Sequence, residues 1–214
     1  MTIHKKQKSS RAGLIVGTLI AVVIAAAAIV AISAGGGGDA DKSVNLSQYS
    51  DVTVTGTPLP AYDAALSTDP AVGMVPPTAV GKGFTGNIVS TEPSSPLLIV
   101  FLAHWCQFCQ REVPLLVEWE KLGGAANDID IMAVATATDP ANPNYPPSAW
   151  LARENFPALW PVLADDKDKT VGDAYGVTGY PYFVLIGKDG KVAKRMSGAV
   201  PMTELTATIE AVLK

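Results

Sequence analysis

Leu97-Leu98-Ile99-Val100-Phe101-Leu102-Ala103-His104-Trp105-Cys106-Gln107-Phe108-Cys109 is the stretch of this 214-residue chain that says most about its fold. The first six residues form a short continuous apolar run, the pattern of a strand buried on both faces. From about Cys106 to Leu122 the pattern turns helical, and Gly123-Gly124 stops it. Cys106 and Cys109 are the chain's only cysteines, and they fall where a buried strand hands over to a helix.

Working toward the C-terminus, Ile129 to Val134 reads as a second buried strand. Pro146-Pro147-Ser148 opens a helix ending near Phe156, with Pro147 or Ser148 at its start. Pro161-Val162-Leu163 reads as a short strand and Lys169 to Tyr175 as a short helix. Phe183 to Ile186 and Lys191 to Met196 flank Gly187-Lys188-Asp189-Gly190, whose Asp-Gly end signals a hairpin turn. The last helix starts at Pro201 and sets Met202, Leu205, Ile209, Val212 and Leu213 on one face. Strands alternating with helices, then a hairpin and a final helix, predict an α/β sandwich around a mixed sheet.

Toward the N-terminus the signals weaken. Val52 to Thr55 alternates like a strand, Thr57-Pro58-Leu59-Pro60 stops it, and Pro70, Pro76 and Pro77 exclude a long helix before residue 81. Residues 46–95 are therefore expected to hold short strands and loops. Gly35 to Gly38 and the polar residues after them, 34–45, read as a flexible linker. Before it, Gly13 to Ser33 carries no charge over 21 residues, which as a helix would span roughly 31 Å, close to the hydrocarbon core of a bilayer. Residues 1–12 form a basic tail, and the positive-inside bias keeps it cytoplasmic while the rest of the chain is exported. A cleaved signal peptide is the alternative, but its apolar region is usually about 7–15 residues long, so length favours a single-pass anchor at 13–33.

Lys5, Lys6, Lys8 and Arg11 are four of the 16 basic residues and precede every acid, so the remaining 12 basic and 20 acidic side chains leave the rest of the chain at −8. An acidic main domain argues against nucleic acid as a partner, because that affinity rests on clustered Lys and Arg. Two cysteines cannot build a multi-disulfide scaffold.

A reversible disulfide needs two sulfurs that can meet, and a two-residue gap over one helical turn supplies that. It also needs one sulfur that ionises readily. Free N–H groups and the dipole at a helix N-terminus stabilise a thiolate, which points to Cys106 as the attacking sulfur. Cys109, one turn deeper, is expected to be buried with a raised pKa and to resolve. Such a pair holds two electrons itself and needs no separable cofactor. Other readings stay open. A closed zinc site lacks ligands, since the exported part has no second cysteine pair and only His104. Haem attachment would need histidine where Gln110 stands. A structural disulfide would make this a redox-silent binding module, although so short a loop restrains the unfolded chain little. Cys106, Cys109 and His104 could also serve as soft ligands in a Cu(I) metallochaperone.

Phe101 to Cys109 resembles the active-site stretch of thioredoxin-fold proteins, and Pro114 matches the proline that kinks the helix following it in that family. Gly176-Val177-Thr178-Gly179-Tyr180-Pro181 resembles the loop that carries the family's cis-proline. Trp160 to Val192 is similar to the membrane-anchored, extracytoplasmic reductases of the TlpA and ResA type, whose extra strand and helix residues 136–159 could supply. The resemblance implies a thioredoxin-like three-layer α/β/α sandwich over residues 46–214, with 96–214 as its core. It implies a thiol–disulfide oxidoreductase with Cys106 as nucleophile and Cys109 as resolving thiol. Trp105, Tyr180 and Pro181 would dock protein thiol or disulfide substrates, with Gln107, Phe108 and His104 tuning the pair, and a membrane electron donor or acceptor would turn it over. Two positions depart from the pattern. Phe108 stands where the subgroup commonly has proline, and Val100 where thioredoxins bury a carboxylate. Glu92, Glu112, Glu118 and Glu120 are the nearby acids, and sequence alone places none of them beneath Cys109. Related folds span about 150 mV of potential, roughly 7 kcal/mol for two electrons, so these departures bear on the direction of the reaction. The resemblance favours the reductive one.

Overall fold

The structure, a computed structural model, describes residues 46–92, 96–124 and 129–214. The basic tail, apolar run and glycine linker expected over 1–45 lie outside these residues. Among the described residues, no helix is long and apolar enough to cross a membrane.

Three short strands, β1 (Thr53–Thr55), β2 (Thr78–Lys82) and β3 (Ile88–Ser90), form a small antiparallel sheet in that order. The main sheet has five strands: β4 (Leu97–Leu102), β5 (Asp130–Ala135), β6 (Val162–Ala164), β7 (Tyr182–Ile186) and β8 (Val192–Ser197). Its order is β6-β5-β4-β7-β8. β4 pairs parallel with β5 and antiparallel with β7, and the hairpin partner β8 closes one edge. β6 extends the parallel half beyond β5. The sheet is mixed, as the sequence pattern predicts.

All six residues of β4 are buried, and the two-residue period of a strand sends them into two different cores. Leu98, Val100 and Leu102 enter the first, beneath three helices: α1 (Gln107–Lys121), α2 (Pro147–Arg153) and α4 (Met202–Leu213). These helices contribute Val113, Leu116 and Val117, then Trp150 and Leu151, then Leu205 and Ile209. Leu97, Ile99 and Phe101 enter the second core. There the helical cover is only α3 (Thr170–Ala174), through Val171, and the N-terminal residues Leu59, Ala71, Ala79 and Val89 supply the rest. The expected α/β/α sandwich thus has one helical layer and one shared between a five-residue helix and the small sheet. A helix that short cannot span five strands, so loop and strand residues from 46–92 close the gap.

The outer edge of β8 is also covered at its first residue, Val192. The Gly73 amide donates to the Val192 carbonyl at 2.8 Å, and the Val192 amide donates to Met74 at 2.9 Å. Sheet edges left open invite pairing with other chains, and this strip closes the start of one.

Candidate active site

β4 ends at Leu102 and delivers residues 103–106 to the start of α1. Cys106 is the N-cap of that helix, in extended conformation (φ −72°, ψ 118°), with no side-chain cap bond. Its carbonyl accepts the first helical bond, from Gln110 at 3.0 Å. The amides of Gln107, Phe108 and Cys109 therefore have no carbonyl one turn behind them within the helix, and the positive end of the dipole faces the Cys106 side chain. The cysteine closer to the helix end is 9% exposed and the other 0%. Both are free thiols.

The Cys106 thiol donates to the Tyr180 carbonyl at 3.3 Å, joining two segments 74 residues apart. The Tyr180–Pro181 peptide is cis, as the resemblance implies. Burial pushes the Cys109 thiol well above its ordinary value, and the neighbouring Cys106 and Glu112 charges act in the same direction. Burial likewise pushes the Tyr180 phenol up to about 12, so it stays protonated at any physiological pH.

Aromatic side chains frame the sulfurs. Trp105 is 37% exposed, lies edge-on to Tyr180 with ring centroids 6.0 Å apart, and donates through Nε1 to the Ala137 carbonyl at 2.7 Å. Ala137 sits at φ +49°, an uncommon conformation for a side-chain-bearing residue, which aims that carbonyl at the indole. Phe108 is exposed beneath the Arg111 guanidinium, 4.8 Å from its ring centre, and Gln107 points to solvent. Pro114 lies inside α1, where its missing N–H leaves the Gln110 carbonyl without its helical partner.

A model of the thioredoxin-like domain matches residues 88–213. The chain belongs to this thioredoxin-like family. Over 116 residues it is 28% identical to the thiol-disulfide oxidoreductase ResA of Geobacillus thermodenitrificans, a match covering 52% of this chain and 60% of that protein. Among solved structures, the Chlorobium tepidum protein assigned as the thiol:disulfide interchange protein DsbE superposes with a TM-score of 0.52 at 26% identity, over 67% of this chain and 98% of that one. StoA from Bacillus subtilis gives a TM-score of 0.51 at 17% identity, over 65% and 98%, and shares the fold.

Within the thioredoxin-like domain, two side chains have surroundings that the sequence alone does not give. His104 is 1% exposed and both its ring nitrogens are occupied: Nδ1 donates to the Pro143 carbonyl at 2.7 Å, and Nε2 accepts from the Asp139 amide at 3.1 Å. No lone pair is left for a soft metal ion, which removes the third ligand from the Cu(I) reading. The imidazole instead ties the segment 139–143 to the active-site turn. Glu112 is the side chain that sequence reasoning could not place. It lies one turn past Cys109, 1% exposed, with Oε1 accepting from the Val200 amide at 3.1 Å. Burial raises its pKa above the ordinary carboxylate range, and the Val200 bond opposes this. The Cys-x-x-Cys-x-x-Glu spacing was the available signal, because positions three apart share a helix face. Glu92 and Glu118 are exposed and Glu120 is half-buried, whereas Glu112 is fully withdrawn from water.

Proposed function

We propose that the chain is a membrane-tethered, extracytoplasmic thiol–disulfide oxidoreductase that exchanges electrons with protein substrates through Cys106 and Cys109. The observation that carries this reading is the Cys106 sulfur at a helix N-cap, against the carbonyl before a cis-proline, with a fully buried second thiol one turn on. In the reductive direction the Cys106 thiolate attacks a client disulfide. One client sulfur leaves as a thiolate and takes a proton, and a Cys106–client mixed disulfide forms. Cys109 then loses its proton and attacks Cys106, releasing the second client thiol and closing the Cys106–Cys109 disulfide. The client gains two electrons and two protons, and a membrane-held dithiol of lower potential would restore the pair. The resemblance of Trp160 to Val192 to the TlpA/ResA-type reductases favours this direction. The uncharged run 13–33 behind four cations supports both the tether and the export of residues 34–214.

Trp105, Tyr180 and Pro181 form the docking surface in this reading, with the Tyr180 backbone pairing with an extended client segment. In this reading Glu112, one turn past Cys109 and part of what raises its pKa, takes the proton that Cys109 must release. The two thiols therefore differ in role, which trapping tests. Cys109→Ser leaves a nucleophile without a resolver, and client proteins accumulate covalently on Cys106 in acid-quenched, non-reducing gels. Cys106→Ser leaves a buried, protonated thiol that traps almost nothing. Equal trapping by both variants, or none by either, overturns the assignment. The tether is tested separately: the full chain should stay with membranes through alkaline extraction, and a soluble form beginning at Ala34 or later would replace the anchor with a cleaved signal.

A further inference from the structure

We propose that Arg195 is a positioning residue for the exchange reaction, holding the loop whose Tyr180 carbonyl meets Cys106; this rests on the oxidoreductase reading of the two thiols. Arg195 lies on β8, 1% exposed, on the second core face away from α1. Its guanidinium makes four hydrogen bonds. Nε and one terminal nitrogen grip the Asp69 carboxylate at 2.8 and 2.5 Å, and the other terminal nitrogen donates to the carbonyls of Pro60 at 2.8 Å and Tyr175 at 3.3 Å. It therefore joins β8, the N-terminal segment and the start of the 175–181 loop at one point.

The N-terminal segment then continues the hold along that loop. The Leu59 amide donates to Ala174 and the Tyr62 amide to Gly176, both at 2.9 Å, and the Thr178 hydroxyl donates to the Tyr62 carbonyl at 3.0 Å. The Tyr62 ring lies 5.4 Å from the guanidinium carbon. Gly176 shows how close the approach is. A Cβ there would sit 2.3 Å from the Pro60 carbonyl oxygen and 2.9 Å from the guanidinium, at φ +69°. Two residues past Thr178 comes Tyr180. The segment 59–62 is thus a splint laid along the loop, and Arg195 is its rivet. A buried ion pair contributes little net stability compared with apolar packing of the same volume, so fixing one arrangement is the role its geometry suits. Asp69 and Arg195 touch neither sulfur; they act only through the loop.

The test uses the purified full chain with two oxidants: a peptide carrying a disulfide in an extended segment, which must dock beside Tyr180, and the small aryl disulfide 5,5′-dithiobis(2-nitrobenzoate), which needs only Cys106. Arg195→Met is expected to lower kcat/KM for the peptide about tenfold, mostly through KM, with the aryl disulfide rate within about twofold of wild type. Arg195→Lys, which keeps the cation but not the fork, should recover only part of the loss. Amide exchange at Gly176, Val177 and Gly198 should quicken in Arg195→Met while that of residues in α1 does not. Thr178→Val, which removes only a tie at the exposed end of the splint, should raise KM in the same sense and covers the case that Arg195→Met does not fold. An unchanged peptide KM in the folded variants, or equal losses with both oxidants, overturns the proposal. A wild type inert toward both oxidants overturns the exchange reading instead, and the amide exchange then still decides: unchanged rates in the variant sink the splint.

Discussion

Glu112 and Cys109 share a helix face three residues apart and are both withdrawn from water, so each makes the other's charge more costly. Two roles for the carboxylate predict opposite effects. If Glu112 acts only through its field, Glu112→Gln removes a negative neighbour, lowers the Cys109 pKa and speeds the resolving step. If it accepts the Cys109 proton, the same change slows that step despite the lower pKa. Gln keeps an oxygen for the Val200 amide, so the backbone contact is preserved. We expect slowing by about tenfold or more, less than the roughly hundredfold or greater contribution of a positioned base because the lowered Cys109 pKa works against it. Acid-quenched single turnovers that follow the decay of the mixed disulfide measure it, and a faster decay would leave only the field effect. The stability effect has a definite sign too. A carboxyl whose folded pKa is raised costs stability as pH climbs from the ordinary carboxylate value through the folded one, so Glu112→Gln should be more stable than wild type at neutral pH.

At the scale of elements, His104 links the active-site turn to the connection between β5 and α2. Its two ring bonds, the Trp105 bond to Ala137 and the His104–Tyr145 ring contact at 5.9 Å all bear on residues 137–145. His104→Leu strands the Asp139 amide and the Pro143 carbonyl, each costing about 1–3 kcal/mol if left buried without a partner. Denaturant midpoints should fall accordingly, and Trp105 emission should shift to the red as its wall loosens; unchanged emission would separate the histidine from the docking surface. These contacts were not legible in the sequence, because the partners of His104 are backbone groups, which leave no side-chain pattern to read. β4, α1 and the apolar face of α4 were legible for the opposite reason: continuous burial or a three-and-four spacing is written into adjacent residues. Leu205 and Ile209 of that predicted face are buried, and Met202, Val212 and Leu213 pack against the same core. The cover on the other sheet face was not legible, since Leu59, Ala71, Ala79 and Val89 follow no period between prolines. Cys106 and Cys109 announced themselves by type and spacing, whereas Glu112 required knowing which side of α1 is buried.

For the molecule as a whole, the segment from 46 to 92 closes the second core, caps the start of the β8 edge and reaches the loop beside Cys106. Asp69 and Arg195, 126 residues apart in sequence, are a charged pair that crosses from this segment to the main sheet. The hydrogen bonds from Arg195 hold the Asp69 carboxyl below its ordinary range. A depressed carboxyl contributes stability that is complete above its unfolded value, about 3.9, and is lost as pH falls through the folded one. Glu112 and Asp165 act in the opposite sense. Burial raises both, although Asp165 accepts bonds from Thr136, Asp166, Val171 and Gly172 that oppose the shift. Their penalty grows as pH rises above about 4, where unfolded carboxyls ionise. These three groups together give stability a rising limb below about pH 4 and a falling limb above it. Asp69→Asn should remove the rising limb and leave the falling one, so its stability stays flat up to about pH 4, where that of the wild type rises, and declines above it. It should also cost about 3 kcal/mol at neutral pH, because the buried Arg195 cation loses its countercharge and one of the two oxygens that accept from it. Urea midpoints from pH 3 to 7 decide this: an Asp69→Asn curve running parallel to wild type between pH 3 and 5 would show that the pair joining the 46–92 segment to the main sheet carries no pH-dependent share of the fold.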